Sequence, residues 1–209
     1  MATLLDIKSY VADSIGTGDG STAVPKRDRI INAARRRFYS ESRWSFLKKS
    51  TTLTLTSYTA DLPTDYNLKF DPFVYNYSST YKYQFKKVDW DELGKYTTTD
   101  YCFAIDPENR HIKISSSDAT VEMDYYSLPA DKETDTSDNT DVEPVDDITP
   151  IGLLATAMWY LSSRQATGKY QLFMDEYKSE LGSLLQLDTQ KKGVRKFNTY
   201  SNTNEGYRK

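Results

Sequence analysis

The stretch RRRFYSESRWSFLKKSTTLTLTSYTADLPTDY, residues 35 to 66, decides the fold. It begins on a helix. Ile30, Ile31, Ala34 and Phe38 recur at the spacing of one helical face, and Pro25 suits a first turn. The pattern predicts a helix from about Lys26 to Ser42, with Trp44, Phe46 and Leu47 packing where it ends. Past Lys48 the period drops to two. Leu53 and Leu55 point one way and Thr52, Thr54 and Thr56 the other, as in a strand with one buried face. The turn-forming run Leu62-Pro63-Thr64-Asp65-Tyr66 comes next. No glycine-rich loop, metal-ligand pair or nucleophile with a base stands at this junction. It reads as architecture: the chain leaves a helical layer and enters a β module.

Outward from there, Leu4, Ile7, Val11 and Ile15 predict a helix over residues 3 to 14, stopped by Gly16, Gly18 and Gly20. Alternating runs predict short strands at Tyr81, Tyr83 and Phe85, at Phe103 and Ile105, at Ile112 and Ile114, and at Val121, Met123 and Tyr125. FAIDPENRHIKI reads as a hairpin, ISSSDATVEM as the next one, and Trp90 to Leu93 as a helical turn between strands. Residues 130 to 147 hold no large aromatic and read as an exposed acidic loop. ITPIGLLATAMWYLSSRQ is apolar on nearly all sides. It predicts a central helix with Thr149 as N-cap and Pro150 as first residue, broken at Gly168. Tyr170, Phe173, Tyr177, Leu181 and Leu184 mark a fourth helix. The period stops near Thr189.

The fold class is therefore α+β. N- and C-terminal helical hairpins form one bundle, residues 1–48 with 148–188, because neither hairpin alone buries enough apolar surface. An antiparallel β module, sandwich or small barrel, is inserted at 49–130. The acidic loop spans 131–147 and a basic extended tail 189–209.

The 209 residues include 17 Tyr, 8 Phe and 3 Trp, so the apolar material is unusually aromatic. Tyr serves both half-buried strands and interfaces, and both readings stay open. The net charge of -3 is too small to argue for a nucleic-acid or membrane partner, but the charge is segregated. Residues 131 to 147 hold eight acids and one base, residues 26 to 43 seven bases and two acids, and residues 191 to 209 six bases and one acid. A single cysteine, Cys102, excludes an intrachain disulfide. The N-terminal segment lacks the pattern of a secretory signal. The most apolar run, Ile151 to Leu161, falls short of the ~20 residues that span a bilayer.

Enzymatic chemistry finds no foothold. GTGDG lacks the preceding strand of a dinucleotide loop and the Gly-Lys-Ser/Thr of a P-loop, and reads as an interhelix loop. His111, the only histidine, has no partner at a useful spacing. Asp135, Asp138 and Asp141 recur every third residue, unlike a calcium loop, and read as solvated charge. The expectation is a protein without enzymatic activity, cofactor or metal. Arg35, Arg36 and Arg37 are consecutive and point in different directions around a helix, so they cannot all face one groove of DNA. A solvated or inter-subunit face is the better reading. Arg29, Arg36 and Arg37, with Asp138 and Asp141, are the candidates for charge pairing between subunits.

RIINAARRRFYSESRWSFLKK, TLTLTSYTADLPTDYNLKF, YCFAIDPENRHIKI, VEMDYYSLPA, ITPIGLLATAMWYL and FMDEYKSELGSLL, in that order, resemble the head-to-tail adaptor (connector) proteins of tailed bacteriophages, in the branch that includes the tail tubular protein A of short-tailed phages. Leu62 to Tyr66 is the sharpest piece, and the order of the pieces says more than any one of them. Leu128-Pro129 departs from the family's usual Pro-Pro after the VEMDYY strand. The resemblance implies a structural virion protein assembled in the host cytoplasm. It forms a homo-oligomeric ring, commonly a dodecamer, under the portal protein. It continues the channel through which DNA passes without sequence-specific binding, and it docks the next tail or nozzle protein, with no membrane involved. In resembling adaptors the terminal segment reaches the portal. This makes Val194, Arg195, Lys196, Phe197 and Tyr200 the candidate portal or subunit interface; a solvated tail without a role is the alternative. A β-rich carbohydrate- or receptor-binding module is the competing function, and clustered exposed aromatics would favour it.

Overall fold

The computed structural model describes residues 2–16, 24–77, 82–132, 142–163 and 167–191. The chain is α+β, with helices at both ends and strands between. Two helices, α1 (Leu4–Ile15) and α2 (Val24–Glu41), precede a one-turn 3-10 helix at Ser45–Leu47. Seven strands come next: β1 (Lys48–Thr54), β2 (Thr59–Asp61), β3 (Phe73–Asn76), β4 (Lys86–Lys87), β5 (Cys102–Asp106), β6 (His111–Ile114) and β7 (Thr120–Tyr126). A second 3-10 turn, Trp90–Lys95, lies between β4 and β5. Helices α3 (Thr149–Ser163) and α4 (Thr167–Lys191) complete the order of elements.

The bundle is built around α3. Every residue from Pro150 to Ala157 is buried, as expected for a helix apolar all round. It packs on α1, α2 and α4, so the two ends of the chain share one core. Ile7 and Val11 of α1, Ile31, Ala34 and Phe38 of α2 and Met174 and Tyr177 of α4 all belong to it. The helix starts a residue earlier than expected. Thr149 is already helical, and its N–H donates to Asp147 Oδ1 at 2.9 Å, so the carboxylate satisfies one of the orphan donors of the first turn. At Gly152 the approach of α1 is close enough to exclude a side chain: a Cβ there would meet the Tyr10 ring at 2.4 Å. The Thr156 hydroxyl, fully buried, donates to Gly152 O at 2.8 Å and so is not left unpaired.

The β module has a separate core of Leu53, Leu55, Val74, Phe85, Phe103, Ile112, Ile114, Val121, Met123 and Tyr125. Among the described residues its strands form two sheets, β1-β7-β3 and β2-β6-β5-β4, and no closed barrel. β1 and β7 pair antiparallel along their whole length, from Lys48 opposite Tyr126 to Thr54 opposite Thr120. The FAIDPENRHIKI hairpin is present as β5 and β6. Two strand expectations need correction. ISSSDATVEM is not a hairpin, because β6 pairs with β2 and β5 while β7 pairs with β1 and β3. The Ser115 N–H donates to Cys102 O while the Leu55 N–H donates to Ala119 O, so the linking stretch passes from one sheet to the other. The strand expected around Tyr83 and Phe85 is reduced to Lys86–Lys87, and its pairing with β5 is parallel, not antiparallel. Tyr81, expected to open that strand, lies outside the described residues.

The Leu62 to Tyr66 run acquires a physical role here. Arg110, whose φ is +54°, donates through one terminal nitrogen toward Pro63 O at 2.8 Å, Tyr66 O at 3.2 Å and Thr64 O at 3.3 Å. Asp65 accepts from Lys49 Nζ at 2.6 Å and from the Tyr125 hydroxyl at 2.9 Å. Burial, the largest influence, works to raise the Asp65 carboxyl, but these two hydrogen bonds together with the Lys49 charge and a backbone hydrogen bond hold the group below its ordinary value. Burial and the same carboxylate push Tyr125 up to about 12. The turn thus ties β1 and β7 to the end of the β5–β6 hairpin.

Glycine positions separate packing from propensity. Gly152→Ala should destabilise by about 1–3 kcal/mol, because Tyr10 or the helix must shift to admit a methyl group. Gly182→Ala, in α4 with nothing near its Cβ position, should stabilise by roughly 0.5–1 kcal/mol. Urea unfolding of the two variants checks the opposite signs.

Candidate functional site

The residues that could carry chemistry are placed apart. His111 is half-exposed, and its Nδ1 faces Asp61 Oδ1 at 2.8 Å. Cys102 is buried, and burial pushes its thiol up, away from the thiolate a nucleophile needs. Among the described residues no group of three or more His, Cys, Asp or Glu could hold a metal ion, and no helix is long and apolar enough to cross a membrane.

The densest polar construction lies on α2, where the sequence alone indicates only a basic face. Arg35 is not solvated. Its side chain is 2% exposed, and its Nε stands 2.9 Å from Oε1 of Glu143, whose side chain is wholly buried. The Tyr39 hydroxyl donates to Glu143 Oε2 at 2.7 Å. Burial first, and then the Glu143 charge, raises Tyr39 far above its ordinary value. Arg35 Nη1 also donates to Ala130 O at 3.1 Å and to Asn32 Oδ1 at 3.2 Å. Asn32 exchanges two hydrogen bonds with the backbone of Lys132, at 2.7 and 3.0 Å. Asn32, Arg35 and Tyr39, at helical spacing, therefore hold both ends of the segment between β7 and α3 against α2. The N-terminus joins in: the Glu143 N–H donates to Ala2 O at 2.9 Å and Thr3 bridges to Val142.

Within the expected acidic loop, 131–147, Asp131, Val142, Asp146 and Asp147 are exposed, but Glu143 and Val145 are buried, which corrects the expectation at those two positions; residues 133–141 lie outside the described residues. A composition rich in Asp and Glu hides one acid that faces inward. An isolated valine two residues after Glu143, in a stretch otherwise poor in apolar side chains, is the available signal. The partner of Glu143, about a hundred residues earlier, is not legible from spacing.

The candidate inter-subunit cations have these placements. Arg36 pairs with Asp131 at 3.4 Å and Arg37 with Glu41 at 3.4 Å, all four at the surface. Exposed Arg29 donates to Pro25 O at 3.2 Å. Among the described residues these three arginines do not share one partner. Asp138 and Asp141, and Val194, Arg195, Lys196, Phe197 and Tyr200, lie outside the described residues.

One cleft stands out, at the far end of α4. Trp44, Phe46, Val145, Leu184 and Leu187 give it apolar walls, and Asp146, Asp147, Asp188 and Lys191 border it, around a volume of about 270 Å³. Its floor is rigid. Trp44 is buried, stacks between Phe38 at 5.1 Å and Phe46 at 5.5 Å, and donates its indole N–H to Phe38 O at 3.1 Å. Asp188 accepts from the Ser45 N–H at 3.0 Å and from the Ser45 hydroxyl, locking α4 to the 3-10 turn. On the β module, exposed Tyr83 stacks on Tyr101 with centroids 5.5 Å apart, while exposed Tyr58 occupies the tight turn between β1 and β2 with φ +67°.

A family model described as SU10 adaptor protein matches residues 2–200 of the chain. No curated protein matches the sequence.

Arg35 and Arg36 are adjacent in sequence and opposite in environment, which makes them a direct comparison. Arg35→Met should cost about 3–5 kcal/mol, because Glu143 is left as a buried unpaired charge. Arg36→Met should cost about 1 kcal/mol or less, since its pair with Asp131 is exposed. Chemical denaturation of both variants, with Arg35→Met/Glu143→Leu as the compensated double, reads the difference.

Proposed function

The chain belongs to the SU10 adaptor protein family, structural proteins of phage, and from that premise we propose that it is the head-to-tail adaptor of its virion. The family match across residues 2–200 carries the reading. In this proposal copies of the chain assemble into a closed ring, a dodecamer, beneath the portal protein. The ring continues the DNA channel without reading sequence and presents a surface to the next tail component. The role is structural, not catalytic. Support within the molecule comes from a polar scaffold with its titratable groups used for joints, exposed cations on α2, and a basic terminal segment.

In a head-to-tail ring each subunit offers two different faces, so complementary charge can set the register between neighbours. We assign Arg29, Arg36 and Arg37 to one such face and Asp138 and Asp141 to the other. The segment from Val194 to Tyr200 is assigned to the portal or to an adjacent subunit. Repetition around the ring would make a weak contact strong. Such pairing should weaken with salt.

The experiment is assembly with and without that segment. A truncation after Leu187 would remove Asp188, which α4 uses to hold Ser45, so the cut belongs after Lys191. The chain ending at Lys191 should unfold within a few degrees of the full chain yet fail to join heads to tails. The full chain should form rings on portals, seen by electron microscopy and native mass. Undiminished joining by the truncated chain would remove the tail from the interface, and a full chain that stays monomeric on portals would remove the ring.

A further inference from the structure

The cleft at the end of α4 has no occupant among the described residues, yet two of its walls are large apolar side chains in water. Phe46 is 39% exposed and Leu187 is 51% exposed, above a floor formed by buried Trp44 and Val145. The opening of about 270 Å³ is below the usual range of ~300–1,000 Å³ for small-molecule sites, and suits a few side chains better than a ligand. Its rim is acidic at exposed Asp146 and Asp147, against one cation, Lys191. Asp188 is already committed to Ser45.

The last residue of α4, Lys191, lines this cleft, so the chain emerges at the rim. Beyond it come Lys192, Gly193, Val194, Arg195, Lys196 and Phe197. Six residues reach on the order of 20 Å when extended, more than enough to return across the opening. Gly193 allows the left-handed reversal by which helices commonly end. The sequence then offers what the cleft lacks: Val194 and Phe197 for the apolar walls, and Arg195 and Lys196 for Asp146 and Asp147.

We propose that in the free chain the segment Val194–Phe197 folds back into the cleft of its own molecule, with Phe197 against Phe46 and Leu187 and the adjacent cations over Asp146 and Asp147. Intramolecular docking needs little intrinsic affinity, because the tether sets a high local concentration. The contact also covers the aromatic anchor until a partner competes for it. This docking concerns the chain alone and stands or falls apart from the adaptor role.

Disulfide trapping in the full-length protein tests it. Lys191→Cys/Asn198→Cys, which keeps Phe197 and both apolar walls, is compared with Lys191→Cys/Glu205→Cys, with each single variant as a blank for Cys102. An undocked tail would favour the shorter loop by only about threefold, the entropy of doubling loop length. The docked tail should close the 191–198 pair at least tenfold faster than the 191–205 pair, within one chain on a non-reducing gel. Adding Asp146→Lys should slow that closure at least threefold. A ratio near three, or closure indifferent to Asp146→Lys, would overturn the proposal. Cross-links that run between chains would overturn it too, and would give the cleft to a neighbouring copy.

Discussion

Two charges removed from water hold this molecule in register. Taking Arg35 and Glu143 out of solvent costs several kcal/mol for each ion, and their attraction offsets that only with good geometry and further hydrogen bonds. Those bonds are present. Tyr39 supplies one to the carboxylate, and Ala130 O and Asn32 accept from the guanidinium. The pair therefore contributes less to net stability than to choice of arrangement. The acidic segment holds several carboxylates in sequence, and among the described ones the carboxylate at position 143 meets both a cation and a phenol. A slip by one residue would bury an unpaired charge. That penalty fixes where the segment crosses α2, and hence where α3 enters the bundle.

The entry of α3 in turn sets the rest. Eight consecutive buried residues leave it no solvent-facing side in its first two turns, so α1, α2 and α4 must all find it. Close approach is possible because Gly152 yields its side-chain space to Tyr10. At the end of the bundle where α3 enters, α4 is anchored to the 3-10 turn by Asp188, and the turn is anchored to α2 by the Trp44 stack. The β module hangs from that turn. The Ser127 N–H donates to Leu47 O at 2.9 Å, and β1 starts at the next residue. Its core and the bundle core are separate clusters, and the joint between them combines that hydrogen bond with the aromatic stack that ends at Phe46.

Legibility in the sequence depends on how local each signal is. Helical period, strand alternation and the Asp-Pro-Glu-Asn turn are short-range patterns, and α1, α2, α3, α4 and the β5–β6 hairpin match them. Strand pairing is not local. Val121, Met123 and Tyr125 alternate in the same way whether β7 lies beside β6 or beside β1, and only the corner at Ser115 to Ala119 decides it. Arg35 departs from its expected setting for a related reason. Burial of a charge depends on a partner that composition cannot locate, and the two arginines beside it do lie at the surface. The cleft beside α4 is invisible too, since its walls come from residues 44 to 46, 144 to 147 and 184 to 191.

The junction near Lys48 shows why such a joint needs no catalytic group. Phe38, Trp44 and Phe46 stack in succession, carrying rigid apolar contact from α2 to the start of β1. Beyond it, Lys49 reaches Asp65 of the turn that Arg110 clamps through three carbonyls. Each step uses a titratable or aromatic side chain to hold two elements at a fixed angle. At these steps the titratable side chains hold one element of the fold to another, which is a structural use of polar groups. The cations at the surface of α2 and the exposed walls of the cleft stand outside these joints and are among the surfaces the scaffold presents to water.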